Sequence, residues 1–215
     1  MKKNIILLSL LWCLIFAHVS AAETSDIKDI LSSLEKKVSG MQTLQTDFVQ
    51  EKELAVFNQK LILKGTVFLE KPARLAWHVT EPMRYSMIMK DQMIRQWDED
   101  TNEIQEISLA KNPAFQTAVG QMQEWFSGTY TSLLREYEVA LFKKNPTALK
   151  FTPRENALAA NVISSVTVFF REDERYIHQI YIEEKSGDNT RLTFVNTVLN
   201  PSFDKTVWEV KPGVR

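Results

Sequence analysis

One cysteine, Cys13, occurs among the 215 residues, and it lies inside an apolar N-terminal run that reads as a removable leader. The part expected to remain has no thiol, which excludes disulfides, thiol catalysis and thiolate metal sites. Histidine is nearly as scarce. Besides His18 only His78 and His178 occur, neither at the spacing of a second ligand or a nucleophile. Both are read as surface residues of strands. The six glycines form no phosphate-binding loop, and neither a nucleophile elbow nor a zinc motif is present. The chain is therefore read as a non-enzyme with no metal and no cofactor. Asp98, Asp100 and Asn102 have the spacing of a calcium-loop start, but Glu103 stands where glycine is needed and Leu109 where a bidentate acid is needed, so they are read as an acidic turn. A basic block is lacking as well, and Lys143-Lys144 is only a pair, which sets nucleic acid aside.

What the chain does have begins with Lys2 and Lys3, an apolar run from Ile5 to Phe16, and the small residues Ser20-Ala21-Ala22. Together these have the pattern of a secretory signal peptide over residues 1–22, too short for a membrane span. Cleavage before Glu23 leaves residues 23–215, roughly one domain's worth of chain. It takes the basic count from 26 to 24 against 27 acidic residues, so the formal charge moves from −1 to −3. A soluble periplasmic monomer is expected. With 44% hydrophobic residues, such a chain can be stabilised by apolar burial alone.

Ser25 is a candidate N-cap, Asp26 and Asp29 suit the positive end of a helix, and Ile27, Ile30, Leu31, Leu34 and Val38 recur at helical spacing up to Gly40. From Thr43 to Ile107 the period becomes two. Strands are predicted over 45–51, 60–70, 73–80, 85–90, 93–97 and 103–108. Val67 and Leu69 share one face, as do Leu75, Trp77 and Val79 across a Lys71-Pro72 corner. Helical spacing returns at Phe115, Val119, Met122 and Phe126, with a further short helix predicted over 131–136. Strands resume over 138–143, 149–152, 163–171, 177–184, 191–196 and 207–210. Roughly twelve short antiparallel strands in one domain must curl strongly, so a mainly-β, half-closed barrel with helices over its concave face is expected. The inward residues of such a sheet line a cavity or fill a core, and both readings fit Leu75, Trp77, Met87, Met89 and Trp97. Met83, Met87, Met89, Met93 and Met122 suit an irregular apolar surface, since thioether chains adapt their shape, and they suit gap-filling equally.

Phe48-Val49-Gln50, Gly65 through Lys71-Pro72, the run Leu75-Ala76-Trp77-His78-Val79-Thr80-Glu81-Pro82 and the Asp91 hairpin resemble the LolA family of periplasmic outer-membrane lipoprotein carriers. The resemblance implies an unclosed antiparallel barrel of about 11–12 strands, capped by helices. It also implies a cavity that receives the acyl chains of a lipoprotein from an inner-membrane ABC transporter complex and passes it to an outer-membrane receptor. Carried over, Val67, Leu69, Leu75, Trp77, Val79, Met87, Met89 and Trp97 line the cavity. Ile30, Leu34, Met122 and Phe126 belong to the lid helices, and Lys71 latches the lid. Two positions depart from the family. Lys71 stands for an arginine, replacing a planar fork by a point charge. Asp91-Gln92 stands for Asp-Gly, which disfavours a two-residue turn and predicts a longer loop. These departures leave open a cargo of glycolipid or another amphiphilic lipid in a specialised envelope pathway.

Overall fold

The first strands carry large apolar groups at every second position, and the whole chain is organised by what covers them. The computed structural model describes residues 19–56, 59–72, 74–111 and 113–211, without the side chains of 19–25, 113–115, 117–119 and 121. The expected leader, 1–22, falls almost wholly outside the described residues. Helix α1 (Val19–Val38) runs through Ser25, which therefore is not an N-cap. The residues before it, Ala21, Ala22 and Glu23, are good helix formers, so nothing stops the helix there. Gly40 follows the helix end without the positive φ of a glycine cap.

Eleven strands follow: β1 (Thr43–Leu54), β2 (Gln59–Glu70), β3 (Arg74–Glu81), β4 (Tyr85–Lys90), β5 (Met93–Asp98), β6 (Ile104–Ser108), β7 (Tyr137–Lys144), β8 (Thr147–Pro153), β9 (Ile163–Phe170), β10 (Ile177–Glu184) and β11 (Asn189–Leu199). Helix α2 (Pro113–Ser127) and a 3-10 turn at Thr131–Arg135 link β6 to β7. All strands join one sheet in the order β6-β5-β4-β3-β2-β1-β11-β10-β9-β8-β7. It is two antiparallel meanders sewn together by β1 and β11 and not closed, with β6 and β7 as its edges. The strand predicted over 207–210 is instead a 3-10 helix, Lys205–Trp208. The Asp204 side chain starts it by accepting a hydrogen bond from the Thr206 N–H.

The predicted longer loop at Asp91-Gln92 is also corrected. Lys90 pairs with Met93, so the turn has two residues, and both take positive φ, 50° and 66°. Glycine is indispensable at Gly65, where a Cβ would run into the His78 backbone carbonyl and the Phe48 ring.

The two faces of the sheet bury different things. Inner-face residues of every strand except β6 and β7 contribute fully buried side chains to one large cluster with α1 and α2, and β7 adds Tyr137 at its start. On the outer face Ala76, Ile88, Trp97 and Val210 form a second, small cluster, with Phe68 and Trp208 packed against it. The C-terminal segment thus straps the outside of β2–β5. Phe203 lies edge-on to Phe68 at 5.5 Å, and the Arg74 guanidinium stacks 3.9 Å from the Trp208 ring centre.

Candidate functional site

Register brings the inner residues of the first meander together in rows. Val67 pairs with Trp77 and Trp77 with Met87, while Leu69 pairs with Leu75 and Leu75 with Met89. Val79 follows Trp77 on the same face. Trp97 does not join them. It pairs with Ser86 on the outer face, where its Nε1–H donates to Asn102 Oδ1 at 3.1 Å under the C-terminal strap. Counting from Met89, which pairs with Ile94, period two puts Ile94 inside and Trp97 outside, so Ile94 is the β5 residue of the inner face.

Both helices lie on this inner face. Ile27, Leu31, Leu34 and Val38 of α1 are buried and Ile30 half-buried against the cluster, the stripe that the helical spacing predicts. On α2, Phe126 is buried and Met122 half-buried; the side chains of Phe115 and Val119 lie outside the described residues. Aromatic rings cross the sheet beneath α2. Phe48 sits 4.4 Å from Trp77, Trp77 6.3 Å from Phe126, Phe126 5.5 Å from Phe194, and Phe194 5.9 Å from Tyr176. Trp125, the next residue along α2, turns to a second group, 6.1 Å from Tyr137 and 6.4 Å from Phe151. Two adjacent aromatics therefore hold α2 to both halves of the sheet at once. Phe48, Phe151, Phe194, Trp125 and Tyr176 were not singled out from the sequence as site residues. The alternation in β9 to β11 was the signal available for the far half of the face.

The end of α2 is fixed by geometry rather than by apolar area. Gly128 has φ +78°, and the Thr129 N–H donates back to the Glu124 carbonyl at 2.9 Å, closing the helix. A Cβ on Gly128 would collide with Val38 of α1, so glycine lets the two helices meet. Glu35 of α1 accepts from the Thr131 N–H at 2.6 Å and its hydroxyl at 2.8 Å, tying α1 to the segment after α2. Lys71 lies at the corner between β2 and β3 with its Nζ 3.5 Å from the Val38 carbonyl, at the negative end of α1. Burial pushes its ammonium below the usual lysine range. Among the described residues its side-chain bond goes to α1.

His78 is not a surface residue. It is half-buried under the strap, with Nε2 2.8 Å from the Val207 carbonyl and Nδ1 2.9 Å from Ser86 Oγ. The carbonyl can only accept, so Nε2 carries the proton and the Ser86 hydroxyl donates to Nδ1. Ser86 is buried and engaged in this way, the arrangement of a structural strut rather than of a nucleophile. Asp98 likewise spends its carboxylate on the Thr101 N–H and hydroxyl, both at 2.9 Å.

No helix among the described residues is long and apolar enough to cross a membrane. No curated protein matches the sequence. Solved structures with the same fold include MucB, at 14% identity and a TM-score of 0.53 over 86% of this chain and 62% of that one. They also include a chain of the MucA/MucB complex of Pseudomonas aeruginosa, at 14% identity and a TM-score of 0.51 over 86% and 60%. A LolA-superfamily protein from Nitrosomonas europaea aligns at 13% identity with a TM-score of 0.44 over 82% and 96%. The family described as outer membrane lipoprotein carrier protein LolA matches residues 39–211, and the chain with its unclosed sheet and helix-covered inner face belongs to that family.

Proposed function

We propose that this protein, exported and freed of residues 1–22, carries lipoproteins across the periplasm by holding their acyl chains between the inner face of the sheet and the lid helices. The single observation that carries this reading is the aromatic contact of α2. A sheet face lined by Val67, Leu69, Leu75, Trp77, Val79, Met87 and Met89 is covered there by a short helix whose buried anchors, among the described side chains, are Trp125 and Phe126. Burying two such side chains is worth about 3–6 kcal/mol, and each acyl methylene about 0.8 kcal/mol, so some five buried methylenes offset the lost lid contacts. Loading and release are then nearly balanced, as a carrier needs. Ile30 and Leu34 of α1 and Met122 and Phe126 of α2 are the lid residues that acyl chains displace. Lys71 holds the end of α1 in the closed form.

On this reading an inner-membrane ABC transporter complex loads the protein and an outer-membrane receptor unloads it, because no nucleotide-binding motif in the chain supplies energy. Lys71 in place of the family's arginine favours a second reading, a glycolipid or other amphiphile as cargo, since it weakens the closed form that lipoprotein carriers hold with a planar fork. Complementation separates the two. Rescue of a strain depleted of its own lipoprotein carrier is the expected result. Failure to rescue, with a non-protein lipid found by mass spectrometry in the protein purified from the periplasm, selects the second reading. Recovery of neither lipoprotein nor lipid sinks both.

A further inference from the structure

We propose that Trp125 and Tyr176 recognise the carbonyl oxygens that join acyl chains to their headgroup, so that the site selects ester- or amide-linked lipids over purely hydrocarbon ones. The inference rests on the carrier reading and adds a chemical preference to it. Both residues belong to the inner cluster and both are more than nine-tenths buried, at 8% and 1% exposure. Trp125 Nε1 and the Tyr176 hydroxyl nevertheless have no hydrogen-bond partner among the described residues. Buried donors are almost always paired, because losing water without a replacement costs free energy. Their ring neighbours are Phe151 and Phe194, which fill apolar space without a donor, and Tyr137, 6.1 Å from Trp125.

The two donors belong to the two ring groups that meet at α2. Tyr176 touches Phe194, Phe194 touches Phe126, and Phe126 is the chain neighbour of Trp125 under the same lid helix. Burial pushes the tyrosine phenol well above its ordinary range, so it stays a neutral donor at any working pH. An unpaired indole N–H and an unpaired phenol in a mostly aromatic and aliphatic cluster suit acceptors without protons. Ester and amide carbonyls are the acceptors that an acylated ligand brings with its chains.

The test uses the purified protein and two lipids of equal chain length, a diacyl glycerophospholipid with ester links and its dialkyl ether counterpart. Each competes with a fluorescent apolar probe such as N-phenylnaphthylamine. Two added hydrogen bonds of ordinary strength correspond to about tenfold tighter binding of the ester. The expected result is that preference in the native protein, its reduction in Trp125→Phe and in Tyr176→Phe, and its disappearance in the double variant, read as the ratio of ester to ether affinity, which a change in lid opening common to both lipids leaves in place. Equal affinity for ester and ether in the native protein overturns the inference while leaving the carrier reading intact. Uptake of neither lipid nor the probe removes both. Tyr176→Phe should melt no lower than the native protein without ligand, since it deletes an unpaired hydroxyl. A drop of several degrees would assign that hydroxyl to a buried structural water and overturn its role in recognition.

Discussion

At Gln92 the backbone takes φ 66°, where an L side chain crowds the following carbonyl at a cost of about 1–2 kcal/mol. The partial return is visible. The Gln92 carbonyl accepts the Leu109 N–H at 2.9 Å, and its side-chain oxygen accepts from Gln116 of α2 at 3.3 Å in an exposed pair of small worth. Because a glycine there also loses more freedom on folding, Gln92→Gly is expected to stabilise by only about 0.5–1 kcal/mol. A raised urea midpoint at unchanged slope checks this, and a lowered midpoint would mean that the Gln116 contact outweighs the strain. His78 supplies a pH dependence. Burial depresses its pKa, and the Val207 carbonyl partly raises it again. A base held below its unfolded value binds fewer protons when folded. Stability is therefore complete above the ordinary histidine pKa of about 6.5 and falls as pH drops through it towards the folded value. Urea titrations at pH 7 and pH 5 should show a loss in the native protein that His78→Gln lacks; identical pH slopes would show that the strut under the strap carries no proton linkage.

Among the elements, α2 is the one whose attachment can be tuned. Phe126 bridges Trp77 of the first meander and Phe194 of the second, so its removal loosens the helix from both. Phe126→Ala is expected to cost about 3 kcal/mol of stability, at the low end for a buried phenylalanine because a helix lying on one face of a sheet can relax into the gap. The same change should tighten apparent binding of an acyl probe. Weakening a closed form that competes with ligand raises affinity by tenfold for every 1.4 kcal/mol removed from it. Stopped-flow uptake of a fluorescent fatty acid, alongside melting, tests the pair of effects. Lower stability with lower affinity would mean that Phe126 is a wall of the site and not a lid. The element order was legible in the sequence because strand alternation and helical spacing are local signals, as the α1 stripe of Ile27, Leu31, Leu34 and Val38 illustrates. The facing of β5 was not. A tryptophan looks equally apolar from either side, and only the count from the β4–β5 turn puts Trp97 outside. The outer cluster that receives it depends on residues 203–210 returning to the sheet, a long-range event with no local pattern. The same return buries His78.

For the whole molecule, the carrier reading with a covered inner face sets how affinity must depend on the ligand. Where α1 and α2 lie on it, the inner face is already covered, with Leu31, Leu34 and Phe126 all at 2% exposure or less. Every ligand therefore meets the same opening cost before it gains anything, and that cost does not depend on ligand length. Beyond it, each methylene transferred from water adds about 0.8 kcal/mol, close to a fourfold change in affinity. A constant cost with a linear gain makes a threshold. In a series of saturated acyl probes of increasing length, the shortest should show no measurable binding. Above a few methylenes affinity should climb about fourfold per carbon, until the chain outgrows the inner face and the curve flattens. Salt should shift the curve little, since the cluster beneath α1 and α2 is built of apolar and aromatic side chains. Phe126→Ala should move the threshold to shorter chains without changing the slope, because it lowers the opening cost and leaves the transfer gain alone. Fluorescence titration across the series gives both quantities. A threshold that stays in place while the slope falls would locate Phe126 among the residues that contact the chain. Affinity independent of chain length would remove the acyl-binding reading altogether.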